Sequence, residues 1–222
     1  MAPPDVPPDH TKDQPRPDRA VRRVRDVPVA LGVGLLALAE RLGVLLTSPD
    51  RTWPHAVAFE GDALLWIDWL RAIRQGATFE LGLAIHSPVV PHVLALMGAE
   101  PESSDWTPFK LVWCVISALT AALLYLAAAR TVGRRIALIA SLWFAIAYHA
   151  SVLAASLNGE ALYTLLLVLI VYLGTFAPSN PRRDLALAIL LGGLHGLATL
   201  TRAEHPLLML LLIAAAALRP PR

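Results

Sequence analysis

Residues 107–135 read TPFKLVWCVISALTAALLYLAAARTVGRR. Between Lys110 and Arg130 no charge occurs. A helix needs about 20 residues to cross a hydrocarbon core of about 30 Å, so 107–130 is long enough to span. Backbone amides in lipid must be satisfied within the segment, which selects a helix. Arg130, Arg134 and Arg135 then close this stretch and open the next. Cytoplasmic loops collect Lys and Arg, so this end of the helix reads as the inner one.

The same grammar extends in both directions. Further apolar segments occupy 28–48, 134–155, 159–177, 184–201 and 204–218. Arg16, Arg19, Arg22, Arg23 and Arg25 precede the first, Arg182 and Arg183 follow the fourth, and Arg219 and Arg222 follow the sixth. Arginines on every second loop predict an all-α polytopic protein of the cell (plasma or inner) membrane. It has about six transmembrane helices and a cytoplasmic N-terminus. Residues 1–26, rich in Pro, Asp and Arg, read as a disordered cytoplasmic tail. Residues 27–218 form the transmembrane domain, with 49–106 as its external loop, and 219–222 are a cytoplasmic end.

Composition agrees. The 222 residues are 56% hydrophobic and 16% charged, with mean hydropathy +0.56. Soluble domains run about 45–50% apolar and about 25% charged. The net charge of +2 and pI near 9.0 come largely from arginines at span ends, so they read as topology and not as nucleic-acid binding. The single Cys114 lies within an apolar segment and reads as a small buried hydrophobe. Within the first span, Glu40 and Arg41 are costly charges, read either as a pair facing other helices or as a site contact.

The external loop carries Asp50, Glu60, Asp62, Asp68, Glu80, Glu100, Glu102 and Asp105. Within it, 61–75 mixes Leu64, Leu65, Ile67, Trp69, Leu70 and Ile73 with Asp68, Arg71 and Arg74, the pattern of an amphipathic interfacial helix. A second apolar stretch, 89–98, is too short to span and reads as a juxtamembrane or re-entrant helix. Glu60-Gly61-Asp62 opens the first of these. An acid there is either an N-cap or a general base within reach of an acceptor hydroxyl. Glu160 opens the fourth span at the same face, and is either first-turn capping or a second carboxylate that handles protons or helps hold a divalent metal ion. Thr201-Arg202-Ala203-Glu204-His205-Pro206 is a polar cluster between two apolar segments. Arg202 either closes a hairpin by pairing with Glu or holds an anionic group such as a phosphate. No Gly-rich phosphate loop or metal-ligand spacing is evident.

Taken in order, these features resemble the N-terminal half of a bacterial family 39 glycosyltransferase. That family belongs to the GT-C group, with the protein O-mannosyltransferases and aminoarabinose transferases. The residues that carry the resemblance are Glu60-Gly61-Asp62, His86-Ser87-Pro88-Val89, the arginines 130–135, Ser156-Leu157-Asn158-Gly159-Glu160, and Gly196 to Glu204. Ala63 stands where the family often has a second acid, and Ser87 and Ala203 replace prolines.

The resemblance implies transfer of a sugar from a polyprenyl-phosphate donor to an acceptor at the outer face, with inversion. Asp62 would be the base and Glu160 its support. Arg202 would contact the phosphate with Glu204 orienting it, and His86 and Glu60 would bind substrate. A divalent metal ion is the one cofactor the carboxylates suggest, and partners would be a polyprenyl-phosphate-linked sugar and membrane lipid. The alternative is a non-catalytic or truncated remnant or subunit that binds polyprenyl lipid. A transporter ranks below both, since no inverted repeat is present.

Overall fold

The computed structural model describes residues 18–54, 62–76, 87–176 and 181–217. Among these residues the chain is all helical, with no strand. The elements are α1 (Asp18–Thr47), α2 (Ala63–Arg74), α3 (Val89–Leu96), α4 (Thr107–Thr131), α5 (Arg134–Ile146), α6 (Tyr148–Ala155), α7 (Gly159–Gly174), α8 (Pro181–Thr201) and α9 (His205–Ala217).

Helices stand at all six places where the sequence predicts a span, but not all are span-length. α1 from Arg25, α4 and α8 are long and apolar enough to cross a membrane. The segment read as one span over 134–155 is instead two helices, bent by 51° at Ala147. Counted together, they make a fourth candidate. α7 has 16 residues and α9 has 13, both shorter than the spans expected there. α1 also begins at Asp18, inside the stretch expected to be tail.

α1 and α4 form the central pair. They meet through small residues, which let backbones approach closely where apolar lipid offers no hydrophobic drive. Val33 and Ala37 of α1 pack with Ala118 and Ala121 of α4 and Ala145 of α5. A β-carbon at Gly34 would stand 3.2 Å from Ala122 Cβ.

The two ends of the bundle differ in chemistry. At one, Asp26 pairs with Arg134 at 2.7 Å and accepts from the Tyr125 hydroxyl at 3.3 Å. Arg130 there lies 4.2 Å from the Tyr172 ring centroid and 4.6 Å from that of Phe176. The tight turn into α5 needs Gly133, whose φ of +95° suits a residue without a β-carbon.

At the other end the chain after α1 is tied to the start of α4. Trp106 N donates to Thr52 O at 3.0 Å, and the buried Lys110 Nζ donates to Asp50 O at 3.1 Å. The Asp105 carboxylate accepts from Thr107 N at 2.9 Å, in the manner of a helix cap. Hydrogen bonds from the Thr107 side chain and amide hold the Asp105 carboxyl below its usual range.

α2 and α3 lie across this second end. α2 is amphipathic, as its sequence predicts. It buries Ala63, Trp66, Trp69 and Leu70 and leaves Asp68 and Arg71 exposed, paired at 2.8 Å. Its buried face joins Val90 and Leu94 of α3, Trp106, Trp113 of α4, and Leu157 and Ala161. Arg74 Nη2 donates to Ala99 O at 2.9 Å and fixes α2 against the chain after α3.

Candidate functional site

Three polypeptide corners meet at the α2/α3 end. The first is Asp62, directly before α2. Its side chain makes no capping hydrogen bond, so the structure does not use it as the N-cap that its position suggests.

The second corner is the start of α7. Ser156, Leu157 and Asn158 turn the chain between α6 and α7, with Leu157 at φ +55°, a left-handed conformation that side chains rarely adopt. Its side chain is buried in the cluster with Trp66 and Trp113, and Trp113 Nε1 donates to Asn158 O at 2.9 Å. Packing thus holds the strained turn, which delivers Glu160 into the first turn of α7. Gly159 lies 3.6 Å, as a built β-carbon, from the Trp66 ring and from Val90, so α7 begins flush against α2 and α3.

The third corner is the turn from α8 to α9. Arg202 N donates to Ala198 O at 2.9 Å, ending α8, and His205 N donates to Arg202 O at 3.1 Å, starting α9. Ser87 Oγ donates to Leu200 O at 3.0 Å and ties the start of α3 to this turn.

Asp62, Ser87, Glu160, Thr201, Arg202 and Glu204 line one polar cleft of about 70 Å³. Arg202 Nη2 donates to Glu160 Oε1, with the two side chains 36% and 32% exposed. The resemblance implied Glu204 as the residue orienting Arg202. The observed carboxylate partner is Glu160, because it rises from α7 directly opposite the guanidinium, while Glu204 lies exposed at the rim. Glu60 and His86 lie outside the described residues.

Behind the turn, His205 is fully buried. Its Nδ1 stands 3.2 Å from the Tyr163 hydroxyl and its Nε2 stands 2.9 Å from His195 Nδ1. This chain of polar groups joins α7, α8 and α9. His195 thereby serves as a contact between α8 and α9.

Among the described residues, no three His, Cys, Asp or Glu side chains are grouped to hold a metal ion. Asp62, Glu160 and Glu204 all line the cleft but are not grouped as a ligand set.

Sequence reasoning missed Ser87, Asn158, Thr201 and Trp66 as cleft residues. Ser87 and Thr201 carried a signal, since each is a hydroxyl inside a motif already singled out. Trp66 carried none, since a tryptophan on an amphipathic helix reads equally as core.

A second hollow adjoins the first. It is an apolar groove of about 500 Å³ between α4, α5, α6 and α7, walled by Leu124, Trp143, Phe144, Leu153 and Ala161. Glu160 lines both the polar cleft and this groove.

The family model for dolichyl-phosphate-mannose-protein mannosyltransferases matches residues 85–222, more than half of the chain. The chain belongs to that family. Glu160, Arg202 and Glu204 fall within the matched residues, and Asp62 precedes them. No curated protein and no solved structure matches the chain. Membership accords with the apolar helices and makes this an integral membrane protein of the GT-C glycosyltransferase type.

Proposed function

We propose that this protein transfers a sugar from a polyprenyl-phosphate donor to an acceptor hydroxyl at the outer face of the membrane. The observation that carries this reading is the double role of Glu160, on the wall of a polar cleft and of an apolar groove at once. A ligand with a charged head and a hydrocarbon tail fits that pair of hollows as one molecule. Its phosphate would meet Arg202, and its tail would follow the groove between α4 and α7.

On this reading the Asp62 carboxylate takes the proton of the acceptor hydroxyl. The oxygen attacks the anomeric carbon from the face opposite the phosphate. The bond from that carbon to the phosphate oxygen breaks, its electron pair leaves with the lipid phosphate, and the anomeric configuration inverts. Arg202, pre-placed by Glu160, stabilises the charge that grows on the leaving phosphate. A planar guanidinium with several donors can serve the carboxylate and a phosphate together. Topology follows the arginine pattern: the Arg130–Arg134 end is cytoplasmic and the cleft faces outside.

The test is transfer from a radiolabelled polyprenyl-phosphate sugar in membranes holding the protein, against Asp62→Asn. Loss of transfer with unchanged insertion is expected. Undiminished transfer in the variant would remove Asp62 from the mechanism. Binding of the lipid without transfer by either protein would favour a lipid-binding role.

A further inference from the structure

The first span places two charges, Glu40 and Arg41, inside the helix bundle. Arg41 is fully buried and Glu40 lies beside it at 3.8 Å. Ionisable residues inside a membrane domain are costly and ordinarily serve a purpose. Neither touches the polar cleft.

Two of their partners, Ser117 and Phe144, lie on the wall of the apolar groove. Arg41 Nε donates to Ser117 Oγ of α4 at 2.7 Å. Nη1 donates to Ala145 O at 2.8 Å and to Ala37 O at 3.0 Å, and Nη2 donates to Phe144 O at 3.2 Å. The guanidinium carbon also stands 5.3 Å from the Phe144 ring centroid. Glu40 Oε2 accepts from Ser151 Oγ on α6.

The break at Ala147 explains this convergence. The last four carbonyls of a helix lack ordinary i+4 partners; of those in α5, Phe144 O accepts from Ala147 N only at 3.4 Å, and Ala145 O depends on a donor from another element. No water can satisfy them in lipid. Neither Pro nor Gly occurs between Arg134 and Ala155 to force the bend. A side chain from α1 supplies the donors that the bent span needs. Ser117, Phe144 and Ala147 all line the groove, and Ala150 lines it beside Ser151.

We propose that Glu40-Arg41 is a clasp that sets the shape of the groove, with Arg41 a positioning residue for the hydrocarbon tail of the lipid substrate. The proposal rests on the donor reading above. Arg41 acts through the α5–α6 bend and makes no contact with the phosphate or sugar.

Two readouts in nanodiscs test it without turnover. The first is hydrogen exchange over residues 144–155, which speeds up in Arg41→Ala and is restored in part by Arg41→Lys, whose ammonium reaches some of the same carbonyls. The second is binding of a long-chain polyprenyl phosphate against its short-chain, water-soluble analogue. Arg41→Ala weakens the long-chain probe about tenfold, within the coupling expected of packed neighbours, and leaves the short-chain probe unchanged. Should Arg41→Ala fail to insert, Ser117→Ala gives a smaller change of the same sign.

Equal weakening of both probes, or none, with wild-type binding intact overturns the role of Arg41 alone. Unchanged exchange over 144–155 overturns the clasp itself. Binding of neither probe by the wild-type protein overturns the donor reading, and the tail-positioning role with it.

Discussion

Glu160→Gln separates the work of Glu160 from that of Asp62 in the cleft. The substitution keeps the length of the side chain and one acceptor oxygen for Arg202 but removes the charge. Arg202 stays charged, so what is lost is the ion-pair part of the bond. The pair is about one-third exposed. That part is therefore about 1 kcal/mol, the upper end for pairs open to solvent. At about 1.4 kcal/mol per factor of ten, Glu160→Gln lowers kcat/KM about fivefold. Asp62→Asn removes the proposed base, whose contribution is about 100- to 10,000-fold.

The assay is kcat/KM for transfer in membranes, measured as a cycle with Arg202→Ala. If Glu160 acts by holding Arg202, adding Glu160→Gln to Arg202→Ala costs nothing further, because the group it positions is gone. Two outcomes refute the reasoning. One is additive losses in the double variant. The other is a Glu160→Gln defect as deep as that of Asp62→Asn, which would make Glu160 the base.

Two further outcomes concern the scaffold. Lys110 and Asp50 are both buried; the ammonium donates to the Asp50 backbone carbonyl and is attracted by the Asp50 carboxylate, and removing one charge of such a buried pair costs about 3–5 kcal/mol. Lys110→Met should thus lower the thermal midpoint in detergent strongly, and Asp50→Asn added to it should recover part of the loss; a midpoint unchanged in Lys110→Met contradicts this. At Leu157, truncation to Ala should cost about 2–5 kcal/mol through the cavity it leaves. Gly removes one more carbon, about 0.8 kcal/mol, but relieves about 1–2 kcal/mol of left-handed strain. Leu157→Gly should therefore be at least as stable as Leu157→Ala, and a clearly lower midpoint for the glycine variant would show that the turn stores no strain.

Legibility followed the physics of each feature. α1, α4 and α8 declared themselves because a span needs a long apolar run with few charges, and α2 because its apolar residues recur at helical spacing. Asp62, Glu160, Arg202 and Glu204 were nameable as polar residues at the ends of apolar segments, and the structure gathers them around one cleft. Their roles remain with the proposal above. The partner of Arg202 was not legible, since Glu204 is near in sequence and Glu160 near only in space. The break at Ala147 was invisible for a similar reason. The carbonyls freed beside it accept from the Arg41 guanidinium, more than 100 residues upstream. The groove escaped notice because it exists only where four helices fail to fill the space between them.

The shortness of α7 reaches beyond the protein itself. At about 1.5 Å of rise per residue, its 16 residues cover about 24 Å, less than a hydrocarbon core of about 30 Å. Lipids beside it must thin or tilt to match, at a modest cost for each ångström. Glu160 stands at the end of that short helix, so on the proposed function a bilayer crossed by α7 would be thinnest where the cleft and groove adjoin. The thickness of the surrounding membrane thereby becomes a variable in how readily a lipid reaches them.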